Sequence, residues 1–251
     1  MDIGILSPGE MGAAVGGALV SGGHSVRWAS EGRSPATAER ALESGLEDAG
    51  TVAALAEASE IVISVCPPQA AVEVARSMSE FRGVYVDANA IAPRTARAVA
   101  DTVGEYVDGG IIGPPPREAG TTRLYLSGKL APTVAELFDG TILDARVVPG
   151  ELTAASALKI AYAGWTKGSA ALLLTVHEAA RRLGVDEDLE AEWALSQPEL
   201  SQRLAAAARS KETKGWRWAP EMHEIAQTLG EAGLPSGFHE AAGEVFRRND
   251  H

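Results

Sequence analysis

An apolar run that breaks into closely spaced glycines, Asp2-Ile3-Gly4-Ile5-Leu6-Ser7-Pro8-Gly9-Glu10-Met11-Gly12, is the most restrictive feature of this sequence. The run reads as a buried strand from Asp2 to Leu6, and the residues after Gly9 open a helix from Glu10 to Ser21. A dinucleotide-binding turn between such elements needs one glycine for the tight turn. It needs a second where backbone approaches the pyrophosphate, and a third where the helix packs on the strand. Gly9 and Gly12 fill the second and third roles, and Ser7 stands in the first. Ser7, Pro8, Gly9, Glu10, Met11 and Gly12 are therefore candidate cofactor-binding residues, because amides at the opening of a helix, with its partial positive charge, face an anion. Gly16 and Gly17, inside the helix, imply that it lies close against the sheet.

Further along, short β-branched runs alternate with helical stretches, the signature of βαβ units on a parallel sheet. Strands are expected at Ser25–Ala29, Glu60–Val65, Gly83–Asp87, Tyr106–Ile112, Arg123–Ser127 and Thr141–Val148. Helices are expected at Ala36–Ser44, Val52–Ala58, Gln69–Ser79 and Pro93–Val103, with a short one from about Pro132. After Val148-Pro149-Gly150 the composition turns to Ala, Leu, Glu and Arg at helical spacing. One continuous helix is expected over Glu151–Gly184, closed by Gly184, followed by Glu187–Leu195, Glu199–Arg209, Pro220–Ala232 and Gly237–Arg248. The fold class is thus α/β: a doubly wound Rossmann domain over 1–150, then an all-α domain over 151–251 with a long interdomain helix. The helical half is too small to bury both sides of so long a helix, which predicts a homodimer.

The chain has 251 residues, with 34 Asp plus Glu against 22 Lys plus Arg and a net charge of −12, which argues against a nucleic-acid partner that would need a basic stripe. A hydrophobic share of 45% is enough for a real core. The single cysteine, Cys66, forbids an intrachain disulfide and fits a reducing compartment. No run is long and apolar enough to span a membrane, and no secretory signal is apparent at Met1, so a cytoplasmic protein acting on a small molecule is expected.

The end of the second strand decides which nicotinamide cofactor fits. Trp28-Ala29-Ser30-Glu31-Gly32-Arg33-Ser34-Pro35-Ala36-Thr37 places Glu31 at about the distance of an NAD ribose carboxylate. Ser30, Arg33, Ser34 and Thr37 supply hydroxyls and a guanidinium at a helix start, which suit a 2′-phosphate. The expected cofactor is NADP, with NAD the less favoured.

Gly9-Glu10-Met11-Gly12, the second strand after Gly22-Gly23-His24, and the long helix carrying Ala154-Ala155-Ser156-Ala157-Leu158-Lys159 resemble the β-hydroxyacid dehydrogenase and 6-phosphogluconate dehydrogenase superfamily. Its pattern is GLGxMG, then DxST, then SGG, then GxGxxxK. Gly109–Pro116, Tyr162–Gly168 and Arg217–Met222 resemble a subgroup whose C-terminal domain has no assigned function. The resemblance implies that Cys66, Pro67 and Pro68 pass beside the nicotinamide ribose, that Asn89 lies near nicotinamide and substrate, and that Lys159 matches the catalytic lysine. The SGG clamp is here Ile112-Gly113-Pro114, and the asparagine expected four residues after the lysine is Ala163. Two polar contacts to a carboxylate are thus replaced, which argues against a simple 3-hydroxy acid as substrate.

Lys159 is the candidate catalytic residue. Hydride transfer at a carbon bearing oxygen requires a proton to move on that oxygen, and a lysine whose pKa is lowered by desolvation can serve as acid or base. Tyr162 and Thr166, three and seven residues on, share its helix face. With Asn89, Ile112, Gly113, Pro114, Trp218 and Glu221 they form the candidate substrate set. Trp216 and Trp218 are read either as a roof over that pocket, with Glu221 as an acceptor, or as part of a dimer interface beside a helix start with Pro220 and Glu221 in its first turn. Lys167, eight residues beyond Lys159, is read either as reaching a substrate anion or as a second surface lysine. His24, His177 and His239 lack carboxylate or cysteine partners at ligand spacing, so no metal is expected. Two other functions are open. One is imine reduction, because Gly113-Pro114-Pro115-Pro116 is similar to a segment of imine reductases; those usually lack the lysine. The other is a non-catalytic NADP-binding regulator.

Overall fold

The computed structural model describes residues 1–247. The chain forms two compact units, Met1–Lys159 and the residues from Ile160 onward. The strands of the first unit are β1 (Asp2–Leu6), β2 (Ser25–Trp28), β3 (Glu47–Asp48), β4 (Ile61–Ser64), β5 (Val84–Asp87), β6 (Glu105–Ile112), β7 (Arg123–Ser127) and β8 (Asp144–Val147). They form one sheet in the order β3-β2-β1-β4-β5-β6-β7-β8, parallel except that β7 runs antiparallel to β6. The chain steps from β1 to β2 on one side and later to β4 on the other. The carboxyl ends of β1 and β4 are therefore the switch point beside which α/β sheets open a crevice for ligands.

Alternation within the strands sends side chains to two helical layers. Ile3, Ile5, Ile61 and Ile63 join residues of α1 (Glu10–Ser21), α2 (Pro35–Glu43) and α6 (Ala131–Glu136) on one face. Leu6, Val62 and Tyr85 join residues of α3 (Val52–Glu57), α4 (Ala71–Arg76) and α5 (Pro93–Ala100) on the other. Burial on both faces is why these strands read as nearly continuous apolar runs.

The helical unit takes up α7 (Ala154–Leu183) from Ile160 and adds α8 (Asp186–Ser196), α9 (Leu200–Glu231) and α10 (Gly237–Arg247). Its core is small, built on Ile160, Ala163, Ala171, Met222, Ile225 and Phe246 among others. Gly184 ends α7 with φ of 71°, the left-handed cap expected of it. No helix among the described residues is long and apolar enough to cross a membrane.

Three local expectations are corrected. The helices expected over Glu199–Arg209 and Pro220–Ala232 are one, α9, with Pro220 in its interior. A proline there removes one amide from the ladder at roughly 3 kcal/mol, and burial of Ala219, Met222 and Ile225 on both sides of it outweighs that loss. The helix expected over Gln69–Ser79 divides into a 3-10 turn at Pro68–Ala70 and the shorter α4. The edge strand β3 was not expected, because two exposed acidic residues carry no strand pattern. The expected last residue of the final helix, Arg248, lies outside the described residues.

Candidate active site

The turn after β1 departs from ordinary backbone at one residue. Ser7 has φ of 65°, in the left-handed region that favours glycine. This is the position where the sequence pattern lacks its first glycine, so the turn is made by a serine under strain. The amide of Gly9 donates to Ser7 O at 2.7 Å and closes the turn. Gly9 then caps α1 with no side chain to accept from the first amides of the helix. A Cβ on Gly12 would stand 2.7 Å from Ser7 O, whereas one on Gly9 would meet nothing within 4 Å. Gly12 thus packs helix on turn and Gly9 faces open space. That pairing fits a turn that admits a diphosphate to backbone amides.

Beside it, Gly32 turns the chain with φ of 70° into a loop closed by the Arg33 amide on Ser30 O at 3.0 Å. Ser34 caps α2 by accepting from the Thr37 amide at 3.3 Å. The two hydroxyls lie 3.1 Å apart, and Arg40 donates to Thr37 Oγ1 at 3.3 Å. Glu31 and Arg33 are both exposed on this loop. Burial pushes the Cys66 thiol up to about 11, opposed by the Ser64 hydroxyl and the charge of Arg33.

Cys66, Pro67 and Pro68 follow β4, and Asn89 is drawn against Cys66. Asn89 Oδ1 accepts the Cys66 amide at 2.5 Å, its Nδ2 donates to Ser64 Oγ at 3.2 Å, and its own amide donates to Asp87 Oδ1 at 2.9 Å. Asn89 is buried; it clamps the ends of β4 and β5 together with both ends of its amide.

Register places Asp87, the last residue of β5, beside Asp108, and β6 continues from Gly109 to Ile112 past its parallel neighbour. Lys159 Nζ donates to Ile111 O at 2.6 Å. At about 3.3 Å per residue, Ile111 lies roughly 10 Å beyond the level at which β5 stops. The amine therefore stands over the carboxyl edge of the same sheet whose first strand ends in the glycine turn. Gly110 makes this possible, since a Cβ there would stand 2.8 Å from Ala155 O and 3.1 Å from Lys159 Cβ. Ile112 itself is buried. Gly113 has φ of 131°, and Pro114 O accepts from Thr122 Oγ1 at 2.6 Å.

A buried polar cluster under this edge was missed from the sequence. Asp108 accepts the Ser156 amide at 2.7 Å and the Ser156 hydroxyl at 2.5 Å. Burial raises its pKa, as it raises that of Asp87 to about 7, where the charge of Asp108 adds to the effect. The available signal was an aspartate inside each of two adjacent runs that should be apolar throughout.

The remaining candidates lie in the helical unit. Tyr162 is exposed, and Thr166 Oγ1 donates to Tyr162 O at 3.0 Å. Thr166 and Trp218 line a cavity of about 210 Å³ with Ser169, Arg203 and Ser210. Glu221 is paired with Lys167 and, at 3.5 Å, with Arg217. Lys167 lies 5.5 Å from the Trp218 ring centre, and that ring meets Phe246 edge-on at 5.1 Å. Glu221 is thus an acceptor already engaged by cations. Because Pro220 is interior to α9, neither it nor Glu221 starts a helix. Trp216, two residues from Trp218, points elsewhere on α9 and is 77% exposed, so the two indoles do not share a face.

His177 has the carboxylate partner that sequence spacing did not reveal, Glu190 at 2.6 Å. His24 and His239 bond to the carbonyls of Leu137 and Gly164. Among the described residues no group of three or more His, Cys, Asp or Glu side chains is placed to hold a metal ion.

Residues 2–90 match a family described as NADP oxidoreductase, coenzyme F420-dependent, and residues 180–249 match a domain of unknown function, DUF1932. A relative from Methanothermus fervidus, an uncharacterized 28.5 kDa protein encoded in the region 5′ of the 7S RNA, is 30% identical over 164 residues, which is 64% of this chain and 64% of the relative. The chain thus aligns with less than two thirds of that relative's length. Among solved structures, a conserved protein of unknown function with structural similarity to 3-hydroxyacid dehydrogenases is 28% identical, with a TM-score of 0.77, over 98% of this chain and 96% of its own. A 3-hydroxyisobutyrate dehydrogenase from Salmonella typhimurium shares the fold at 16% identity and a TM-score of 0.73, over 98% and 93% of the two chains.

Proposed function

For a chain that belongs to the superfamily of β-hydroxyacid and 6-phosphogluconate dehydrogenases, we propose the activity of an NADP-dependent oxidoreductase acting on a small hydroxyl or carbonyl compound, with Lys159 as general acid or base. The observation that carries this reading is that the glycine turn of β1 and the amine of Lys159 stand at the same carboxyl edge of one sheet. The nicotinamide, when bound, supplies the hydride chemistry. Ser7 to Gly12 hold the diphosphate through the first amides of α1. Ser30, Arg33, Ser34 and Thr37 hold the 2′-phosphate, and Cys66, Pro67, Pro68 and Asn89 line the path toward the substrate. Ile111 O anchors the ammonium of Lys159, so that the amine is fixed in place before substrate arrives. In reduction Lys159 gives a proton to the carbonyl oxygen at Nζ; in oxidation it takes the proton of the hydroxyl.

Ile112, Gly113 and Pro114 offer a substrate fewer donors than a carboxylate requires, since Pro114 has no amide hydrogen. Tyr162, Thr166, Trp218 and Glu221 are proposed as the contribution of the helical unit to substrate recognition. A homodimer completes the reading, supported by Trp165, Leu172 and Val176, which are exposed along α7 at helical spacing. A cytoplasmic location is part of the same proposal.

The test is a fluorescence titration with NADPH and NADH, followed by turnover of a panel of alcohols, aldehydes and ketones, with and without added amine. NADPH should bind more tightly than NADH. Lys159→Ala should lower kcat by roughly 10²–10⁴-fold without changing NADPH affinity. Tighter binding of NADH would remove the cofactor assignment. Turnover that needs the amine would favour imine reduction, and tight NADPH binding with no turnover would favour a regulator.

A further inference from the structure

Resting on the reading of Lys159 as acid or base, we infer that Asp108 is a positioning residue: by holding Ser156 and Ser127 it fixes the opening turn of α7, and so sets where the amine of Lys159 stands over β6. The first amides of a helix have no partner within it. In α7 two of them end on side chains of the sheet. The Ser156 amide donates to Asp108 Oδ2 at 2.7 Å, and the Ala155 amide donates to Ser127 Oγ at 2.9 Å. Ser127 Oγ in turn lies 3.2 Å from Asp108 Oδ2 and 2.9 Å from Leu152 O. The Ser156 hydroxyl donates to Asp108 Oδ1 at 2.5 Å, and Tyr106 approaches that oxygen at 3.4 Å. Asp108, Ser127 and Ser156 are all essentially without exposure.

Ser156 and Lys159 are one helical turn apart and face the same way. Both reach β6: Ser156 at Asp108, and Lys159 at Ile111. Between these two anchors Gly110 lies against the helix backbone, with no room for a Cβ. The helix therefore touches the strand along one line, tied at both ends. If the lower tie is released, the first turn can rotate or lift, and the amine loses its seat on Ile111 O. The chemistry also explains why the residue is an aspartate. Both of its oxygens must accept, one from a backbone amide and the other from a hydroxyl, and an asparagine would turn a donor toward one of them. A negative group at the start of α7 is favoured by the helix dipole as well.

The test labels the full-length protein sparingly with acetic anhydride and reads each lysine by peptide mass spectrometry. Lys129 and Lys214, both exposed, serve as references. In Asp108→Asn and in Ser156→Ala, Lys159 should react at least fivefold faster than in the wild type, with a changed pH dependence, while the references keep their rates. Ser156→Thr, which retains the hydroxyl, should restore the protection. Wild-type labelling of Lys159 in both variants would overturn the inference, and so would equal acceleration of all lysines, which would mean general loosening. Labelling does not require turnover. If Lys159→Ala left activity unchanged, the acid or base reading would fall while the hold of Asp108 on the amine could still be measured.

Discussion

Asp108 in the first unit and Glu221 in the helical unit are both carboxylates with little or no exposure, yet their neighbours differ in kind. Asp108 is held by an amide and hydroxyls, all neutral, and burial raises its pKa. Glu221 is held by Lys167 and Arg217, with the Trp218 ring beneath Lys167. Neutral donors orient a carboxylate without cancelling its charge, so Asp108 and its neighbour Asp87 remain sensitive to proton concentration. A cation at contact cancels the charge and turns the pair into a clasp between α7 and α9. The comparison teaches that the first unit keeps uncompensated polarity under the edge where a ligand is expected, while the helical unit neutralises its own.

The most severe way to break this contrast is Glu221→Gln, which leaves the Lys167 ammonium in a largely buried place without its carboxylate. A loss of about 3–5 kcal/mol is expected, measured by denaturant unfolding followed through tryptophan fluorescence. Trp165, Trp193, Trp216 and Trp218 report on the helical unit. A loss below about 1 kcal/mol would mean the pair behaves as a surface bridge.

The response to pH should sharpen the same contrast. The folded pKa of Asp87 is raised from 3.8 to about 7, first by burial and then by the charge of Asp108, with the Asn89 amide opposing. A raised carboxylate contributes stability that is fully present below its unfolded pKa and is lost as pH rises through the folded one. The first unit should therefore weaken between about pH 4 and pH 7, by at most roughly 1.4 kcal/mol per pH unit from this group. Hydrogen exchange in β5 would measure it, and Asp87→Asn should flatten the dependence. An unchanged slope in that variant would assign the dependence to other groups.

The smallest expected effect concerns backbone strain. Among the described residues Ser7 is the only one other than glycine with positive φ, and it belongs to the first unit. Ser7→Gly should stabilise that unit by about 1 kcal/mol in thermal unfolding, with NADPH affinity retained. A destabilised variant would show that the serine side chain does more than tolerate the turn.

Much of the fold was legible because its signals are local. Two-sided burial writes apolar runs such as Ile61-Val62-Ile63, and the turn after β1 writes its glycines where backbone must pass close. The continuity of α9 was not legible, because Pro220 carries a local stop signal that burial on either side of it overrides. The strand-to-helix turn at Gly9 and Gly12 and the long helix that carries Lys159 were legible. The cluster of Asp108, Ser127 and Ser156 was not legible, because these residues lie far apart along the chain and meet only once β6, β7 and α7 are packed together.

By itself the sequence determined the alternation of strands and helices, the glycine-bearing strand-to-helix turn after β1, and the change to an all-helical composition beyond residue 150. These depend on periodicity and on the backbone freedom of single residues, which act over a few positions. Tertiary structure alone decided that Glu221 would be paired with Lys167, that Asn89 would join β4 to β5, and that the amine of Lys159 would rest on Ile111 O. Those outcomes are set by which groups lose water together, and a buried charge or amide finds its partner in space without regard to distance along the chain.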